Sequence, residues 1–136
     1  MSRFHPLMRD LISSQACLRG VKEVIMVVLN ALFDLNQDVA EGAFKAALDD
    51  FCRHLQREGY VLSWRWMQQI QPSGPSFPRP TQRQFVVFEF LDAASEARCY
   101  EYVAANREPI RTLHRAMNSK VKRGSAMFFV CMDAHK

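Results

Sequence analysis

The sequence has no metal-binding or redox cysteine pair, no phosphate-binding glycine loop and no apolar run long enough to cross a membrane, and each absence removes a class of function. Its four cysteines, Cys17, Cys52, Cys99 and Cys131, stand too far apart for the C-x-x-C spacing of a zinc or thiol–disulfide site. No metal and no cofactor are expected. The G-x-G-x-x-G, Walker and G-x-S-x-G patterns are missing, so nucleotide-binding and serine-hydrolase readings have no support. The longest apolar stretch, Val24–Leu29 and then Ala31–Phe33 past a lone Asn30, falls well short of the roughly 18 residues of a membrane span, and a soluble chain with no membrane partner is expected. With no secretory h-region, reduced cysteines and a cytoplasmic location are expected too, with Cys52, Cys99 and Cys131 acting as small core hydrophobes.

Glycine and proline are few, at 5 and 6 in 136 residues, while hydrophobic residues make up 49% and charged ones 24%, the proportions of one globular domain. The net charge of +4 is local rather than general. Residues 107–123 carry Arg107, Arg111, Arg115, Lys120, Lys122 and Arg123 against the single acid Glu108, and residues 1–22 carry Arg3, Arg9, Arg19 and Lys22 against Asp10. A basic segment of this kind is a solvated helix face or a site for an acidic ligand. Residues 1–22, with Leu7, Met8, Leu11 and Ile12 at helical spacing, read as an N-terminal arm of transit-peptide-like composition, and the domain proper as 23–136.

Val24 to Phe33 lacks alternation and reads as a strand buried on both faces. Asp38 and Glu41 form a capping-box-like start to a helix in which Ala40, Ala43, Phe44, Ala47, Leu48, Phe51, Cys52 and Leu55 recur at i, i+3, i+4, i+7. Its outer face shows Glu41–Lys45 and Asp49–Arg53 at i, i+4, places His54 in solvent, and gives way to Gly59 as a C′ residue. Tyr60 to Ile70 alternates as a second strand, with Trp64 and Trp66 opposite Arg65. Four prolines between 72 and 80 then force a loop over 71–82, and Arg83 to Phe90 returns as a third strand. Asp92 caps a second helix with Ala93, Ala97, Tyr100 and Ala104 on one stripe. Ile110, Leu113 and Met117 mark a further short helix ending by Ser119, and Ala126 to Met132 reads as the fourth strand. The order β-α-β-β-α(α)-β is the ferredoxin-like α+β plan with a four-stranded antiparallel sheet.

Helices on one face leave the other face of such a sheet bare, yet the first and last strands are apolar on both sides. A patch so formed exceeds the few hundred Å² a monomer tolerates, and a second copy of the same sheet is the economical cover. Gly59 followed by Trp64-Arg65, the paired strands after it, and Leu113-His114 with Asn118-Ser119-Lys120-Val121 resemble a small bacterial family of unassigned activity in the dimeric α+β barrel superfamily. The resemblance spans about 23–132. It implies the fold, a homodimer packed sheet to sheet around a cavity, and an activity drawn from a superfamily that includes cofactor-free oxygenases.

The residues able to bring chemistry to such an inter-sheet cavity are His114 as general base, Arg65 as anion clamp, Asn118 and Lys120 as polar contacts and Trp64 or Trp66 as an aromatic wall, around a small apolar or acidic organic molecule. Two other readings compete. An RNA-binding domain of the RRM type shares the element order, and Arg83-Gln84-Phe85-Val86-Val87-Phe88-Glu89-Phe90 matches its third-strand pattern at the first, third and last positions, but the glycine and the central aromatic are absent and nucleic acid is not the expected partner. A non-catalytic dimeric partner-binding module has the same outline, with the P-x-x-P spacing of the loop as a docking peptide.

Overall fold

The computed structural model describes residues 25–134; the N-terminal arm, and Cys17 with it, lies outside them. Seven elements follow one another: strand β1 (Val27–Phe33), helix α1 (Glu41–Arg57), strands β2 (Ser63–Gln68) and β3 (Gln84–Phe90), helices α2 (Ala93–Ala104) and α3 (Ile110–Asn118), and strand β4 (Met127–Met132). The strands form one antiparallel sheet in the order β2-β3-β1-β4. This is the ferredoxin-like plan expected from the element order. Among the described residues no helix is long and apolar enough to cross a membrane.

Register assigns every strand residue to a face. Val27, Leu29, Ala31 and Phe33 of β1 stand opposite Phe90, Phe88, Val86 and Gln84 of β3, and this set faces the helices. Trp64, Trp66 and Gln68 of β2 and Phe128, Val130 and Met132 of β4 share that side. Val28, Asn30, Leu32, Met67, Phe85, Val87, Phe129 and Cys131 take the other.

Helix α1 supplies the core through Phe44, Leu48, Phe51, Cys52 and Leu55, all buried. Phe44 is wedged between two rings, 5.4 Å from Phe33 and 5.2 Å edge-on to Trp66. Such aromatic contacts add about 0.5–1.5 kcal/mol beyond the area they bury. The helix ends as the glycine predicts: Gly59, at φ +84°, donates to Gln56 O while Tyr60 N reaches back to Leu55 O, the paired bonds of a Schellman motif. Its start differs from expectation. Ala40 is the N-cap and no side chain caps it, because Glu41 is drawn sideways to accept from Gln68 Nε2 at 2.9 Å. The outer ion pairs shift as well: Lys45 meets Asp49 at 2.6 Å and Arg53 meets Asp50, with Asp49 also accepting from Trp64 Nε1. Asp92 does cap α2, accepting from Ser95 N at 2.8 Å.

Three further expectations are corrected. His54 is only 8% exposed, with Nε2 2.6 Å from Tyr102 Oη, because α2 lies over the last turn of α1 and Tyr102 stacks between His54 and Tyr60. The second strand is shorter than the alternation suggests. Val61 is buried and out of phase, and Ile70 is exposed beyond the last ladder pair. Cys52 and Cys99 are core thiols, but Cys131 is exposed on the face away from the helices.

Replacing Phe44 with Ala is expected to cost about 3–5 kcal/mol in urea denaturation, the usual loss for a buried ring. Phe77, exposed in the proline-rich loop, should tolerate the same change within about 0.5 kcal/mol. Deleting Ser73 to Pro78 should leave the thermal midpoint within a few degrees, and loss of folding on that deletion would assign the loop to the core.

Candidate functional site

Helix α2 turns small side chains inward, Ala93, Ala97 and Cys99, and α3 has only nine residues. Between these helices and the sheet an apolar cavity of about 290 Å³ remains. Leu29, Phe88 and Phe128 form its floor, Phe51 and Val103 line it from the helices, and His114 and Asn118 of α3 bring the polar atoms. Phe128 is 65% exposed, so the cavity opens along β4.

Helix α3 is placed by its two ends. At the first turn Glu108 accepts from Thr112 N at 3.2 Å and from Thr112 Oγ1, and it pairs with Arg111 at 3.0 Å. Ile110 anchors this end in the core. At the other end the chain is tied to the segment after β1: Asn36 N donates to Lys120 O, Lys122 N to Asp34 O, and Asn36 Nδ2 to Ser119 O, all within 3.0 Å. Held so, α3 lays Leu113 and Met117 on the core and stands the His114 ring 5.5 Å from Phe51.

The imidazole of His114 is half-buried and makes no hydrogen bond to any described residue. Burial lowers its pKa below the ordinary histidine value, because an apolar wall disfavours the charged ring. Its neighbours are chemically quiet. Burial pushes the Cys99 thiol up to about 12, so it is no thiolate at neutral pH, and Tyr100, raised by burial and by the carboxylate to which it donates, is engaged with Glu96. His114 is therefore the lining group that is neutral, basic and unsatisfied near pH 7.

The other expected site residues lie elsewhere. Arg65 is exposed on the opposite face of the sheet and has neither ion pair nor hydrogen bond among the described residues. It cannot meet His114, since α3 packs on the side to which Trp64 and Trp66 point. The two tryptophans belong to the core edge and are tied by their indole N–H groups, Trp64 to Asp49 and Trp66 to Gln84. Lys120 turns back onto its own helix, its Nζ donating to Ala116 O at 2.8 Å. Of the expected set the structure brings together His114 and Asn118. Phe51, Val103 and Phe128 complete the wall; in the sequence Phe51 and Phe128 stand out only as members of apolar runs, and Val103 lies off the stripe marked by Ala93, Ala97, Tyr100 and Ala104. The third strand turns Phe88 and Phe90 toward the helices, which leaves Phe85 as its one ring on the open face.

The fold is shared with proteins of different activity. A cofactor-independent oxygenase from Streptomyces nogalater, SnoaB, superposes with a TM-score of 0.57 at 8% identity, over 82% of this chain and 95% of that one. A hydroxynitrile lyase from Passiflora edulis gives 0.55 at 10% identity over 82% and 95%, and an Arabidopsis thaliana protein 0.52 at 11% over the same shares. No curated protein matches the chain. Its sequence from residue 26 to residue 130 does match a family model, and the chain belongs to that family, a family of unknown function designated DUF6614.

Proposed function

We propose that the protein is a homodimer that binds a small apolar organic molecule in the cavity beneath α2 and α3, with His114 as its general base and Asn118 as the amide that orients the ligand. One observation carries the reading: a neutral imidazole without a hydrogen-bond partner among the described residues lines an apolar cavity whose other available polar group is the Asn118 amide. A half-buried ring of this kind is normally satisfied by a carbonyl or a carboxylate. A ligand O–H or acidic C–H placed beside it supplies the missing partner and the proton to be moved. The site differs from the inter-sheet cavity expected from sequence, since it lies within each copy. The cofactor-independent oxygenase that shares the fold supports an oxygenase-like reaction here, because an enzyme without a cofactor relies on side chains for proton transfer.

The dimer rests on the open face of the sheet. Val28, Met67, Phe85, Val87, Phe129 and Cys131 make it largely apolar, with Arg65 on the edge strand β2 unpaired among the described residues. Sedimentation at micromolar concentration should return about twice 15.7 kDa. Val28→Asp or Phe129→Asp, both on this face, should give monomers, since an uncompensated buried carboxylate costs several kcal/mol. A wild-type chain that stays monomeric would sink the assembly.

For the base, oxygen-electrode assays with phenolic and naphtholic substrates should show consumption that His114→Gln reduces by about 10²–10⁴-fold, the usual range for general-base loss. Folding gives a second readout. The folded-state pKa of His114 lies below the unfolded value of 6.5, so the unfolded chain takes up its proton first. The ring therefore leaves stability independent of pH above about 6.5 and removes it progressively as pH falls below. Between pH 7.5 and 5.5 the urea midpoint of the wild type should drop more than that of His114→Gln; parallel curves would mean that the ring is solvated.

A further inference from the structure

Beyond Asn118 the apolar cavity adjoins a second depression of different character. Asn118 lines both. The second is about 460 Å³, open to solvent, and lined by Asn36, Ser119, Lys122, Arg123 and Ala126, with no carboxylate among its lining residues. Ala126 here and Phe128 in the cavity are alternate residues along the last strand and its entry, so the two spaces lie end to end over one side of it, apolar and then basic.

The basic end is fixed in shape. Lys122 N donates to Asp34 O at 2.8 Å, and Ser125 N and Oγ both bond to Lys122 O, closing a turn that needs positive φ and finds it in Gly124 at +82°. Ser125 is bound on its other side by Asp34 N and Gln82 Nε2. Neither Lys122 nor Arg123 has an ion pair or a side-chain hydrogen bond among the described residues. Two uncompensated cations on a pinned turn, beside the mouth of an apolar cavity, are arranged for an anion whose body lies inside.

We infer that the ligand of the cavity is an apolar organic acid: its hydrocarbon body occupies the space between His114, Phe51 and Phe128, its anionic group projects past Asn118, and Lys122 and Arg123 hold that group. This rests on the ligand reading of the cavity above and adds the chemical class. It also gives the clamp expected of Arg65 to a different pair of residues.

A matched pair of fluorescent probes separates the two claims: 1-anilinonaphthalene-8-sulfonate, which is anionic, and N-phenyl-1-naphthylamine, the same body without the charge. With the full chain at low salt, the sulfonate should bind about tenfold more tightly than the neutral amine, and the difference should shrink as salt is raised. Lys122→Gln/Arg123→Gln should bring the sulfonate down to the affinity of the amine and leave the amine unchanged. Equal affinities in the wild type, or a sulfonate affinity untouched by the double variant, would overturn the acid while leaving the cavity reading intact. Val103→Trp or Ala104→Phe, which fill the cavity from α2, should abolish binding of both probes. Binding of both that survives in variants with wild-type circular dichroism would place the probes on the exposed β4 and end both readings.

Discussion

The three helices of the described residues have to cover four strands, and they do not reach. Helix α1, whose 17 residues span about 25 Å at 1.5 Å per residue, lays its aromatic and leucine stripe over β1, β3 and β2. The remaining cover comes from α2, whose inward residues are small, and from α3, which is short. Phe128, Val130 and Met132 on the helix side of β4 are exposed in consequence, and Met127, Phe129 and Cys131 are exposed on the face turned away from the helices, although the strand reads Met-Phe-Phe-Val-Cys-Met. The cavity under α2 and α3 is the inner edge of that shortfall, and the bare β4 is its outer edge. A larger residue at Cys99 or Ala104, or a further turn on α3, would close the first and cover part of the second.

The sheet thereby keeps two kinds of unfinished business on opposite sides. On the helix side the gap is concave and holds one imidazole and one amide. On the open side the surface is broad and interrupted by few polar groups, of which Asn30 is the most central. Asn30 is nearly buried, and its Nδ2 donates to Phe129 O at 3.2 Å, fixing β4 against β1 from the face that carries no helix. Ser63 and Glu89 satisfy each other at 2.7 Å at the far end of that face. With those groups tied, Arg65 is a charge left on the open face without an ion-pair partner among the described residues.

Periodicity made much of this legible. The i, i+3, i+4 recurrence from Phe44 to Leu55 has no competing explanation, Gly59 marks a helix end that only a left-handed residue makes, and the proline run excludes a ladder. What failed did so for identifiable reasons. The capping box at Asp38–Glu41 is a local preference, and a tertiary bond from Gln68 overrode it. His54 flanks Phe51 at the edge of the apolar stripe on the helical wheel, a boundary that only the position of α2 decides. The Arg65 side chain and the helix carrying His114 lie on opposite sides of the sheet, and nothing in their spacing reveals this until β2 alternation is combined with the side that α3 takes. Cys131 was legible as apolar company but not as edge-strand company, since its exposure depends on β4 taking the sheet edge and on Cys131 facing away from the helices.

The chemistry of the cavity follows from what it lacks. The fold shared by an oxygenase and a lyase leaves the reaction open. No lining residue is a carboxylate. An imidazolium formed there by proton transfer has no protein counter-charge, and an unpaired cation in an apolar wall is strongly disfavoured. Proton transfer to His114 is thus favourable only while the anion it creates stays beside it. A base at His114, as proposed above, would then be matched to a ligand whose conjugate anion is retained in the cavity, and the cations of Lys122 and Arg123 would stabilise such a ligand before and after the transfer. A ligand that left as soon as it lost its proton would strand the charge on the ring, so retention of the anion and neutrality of the resting imidazole are two sides of one electrostatic requirement.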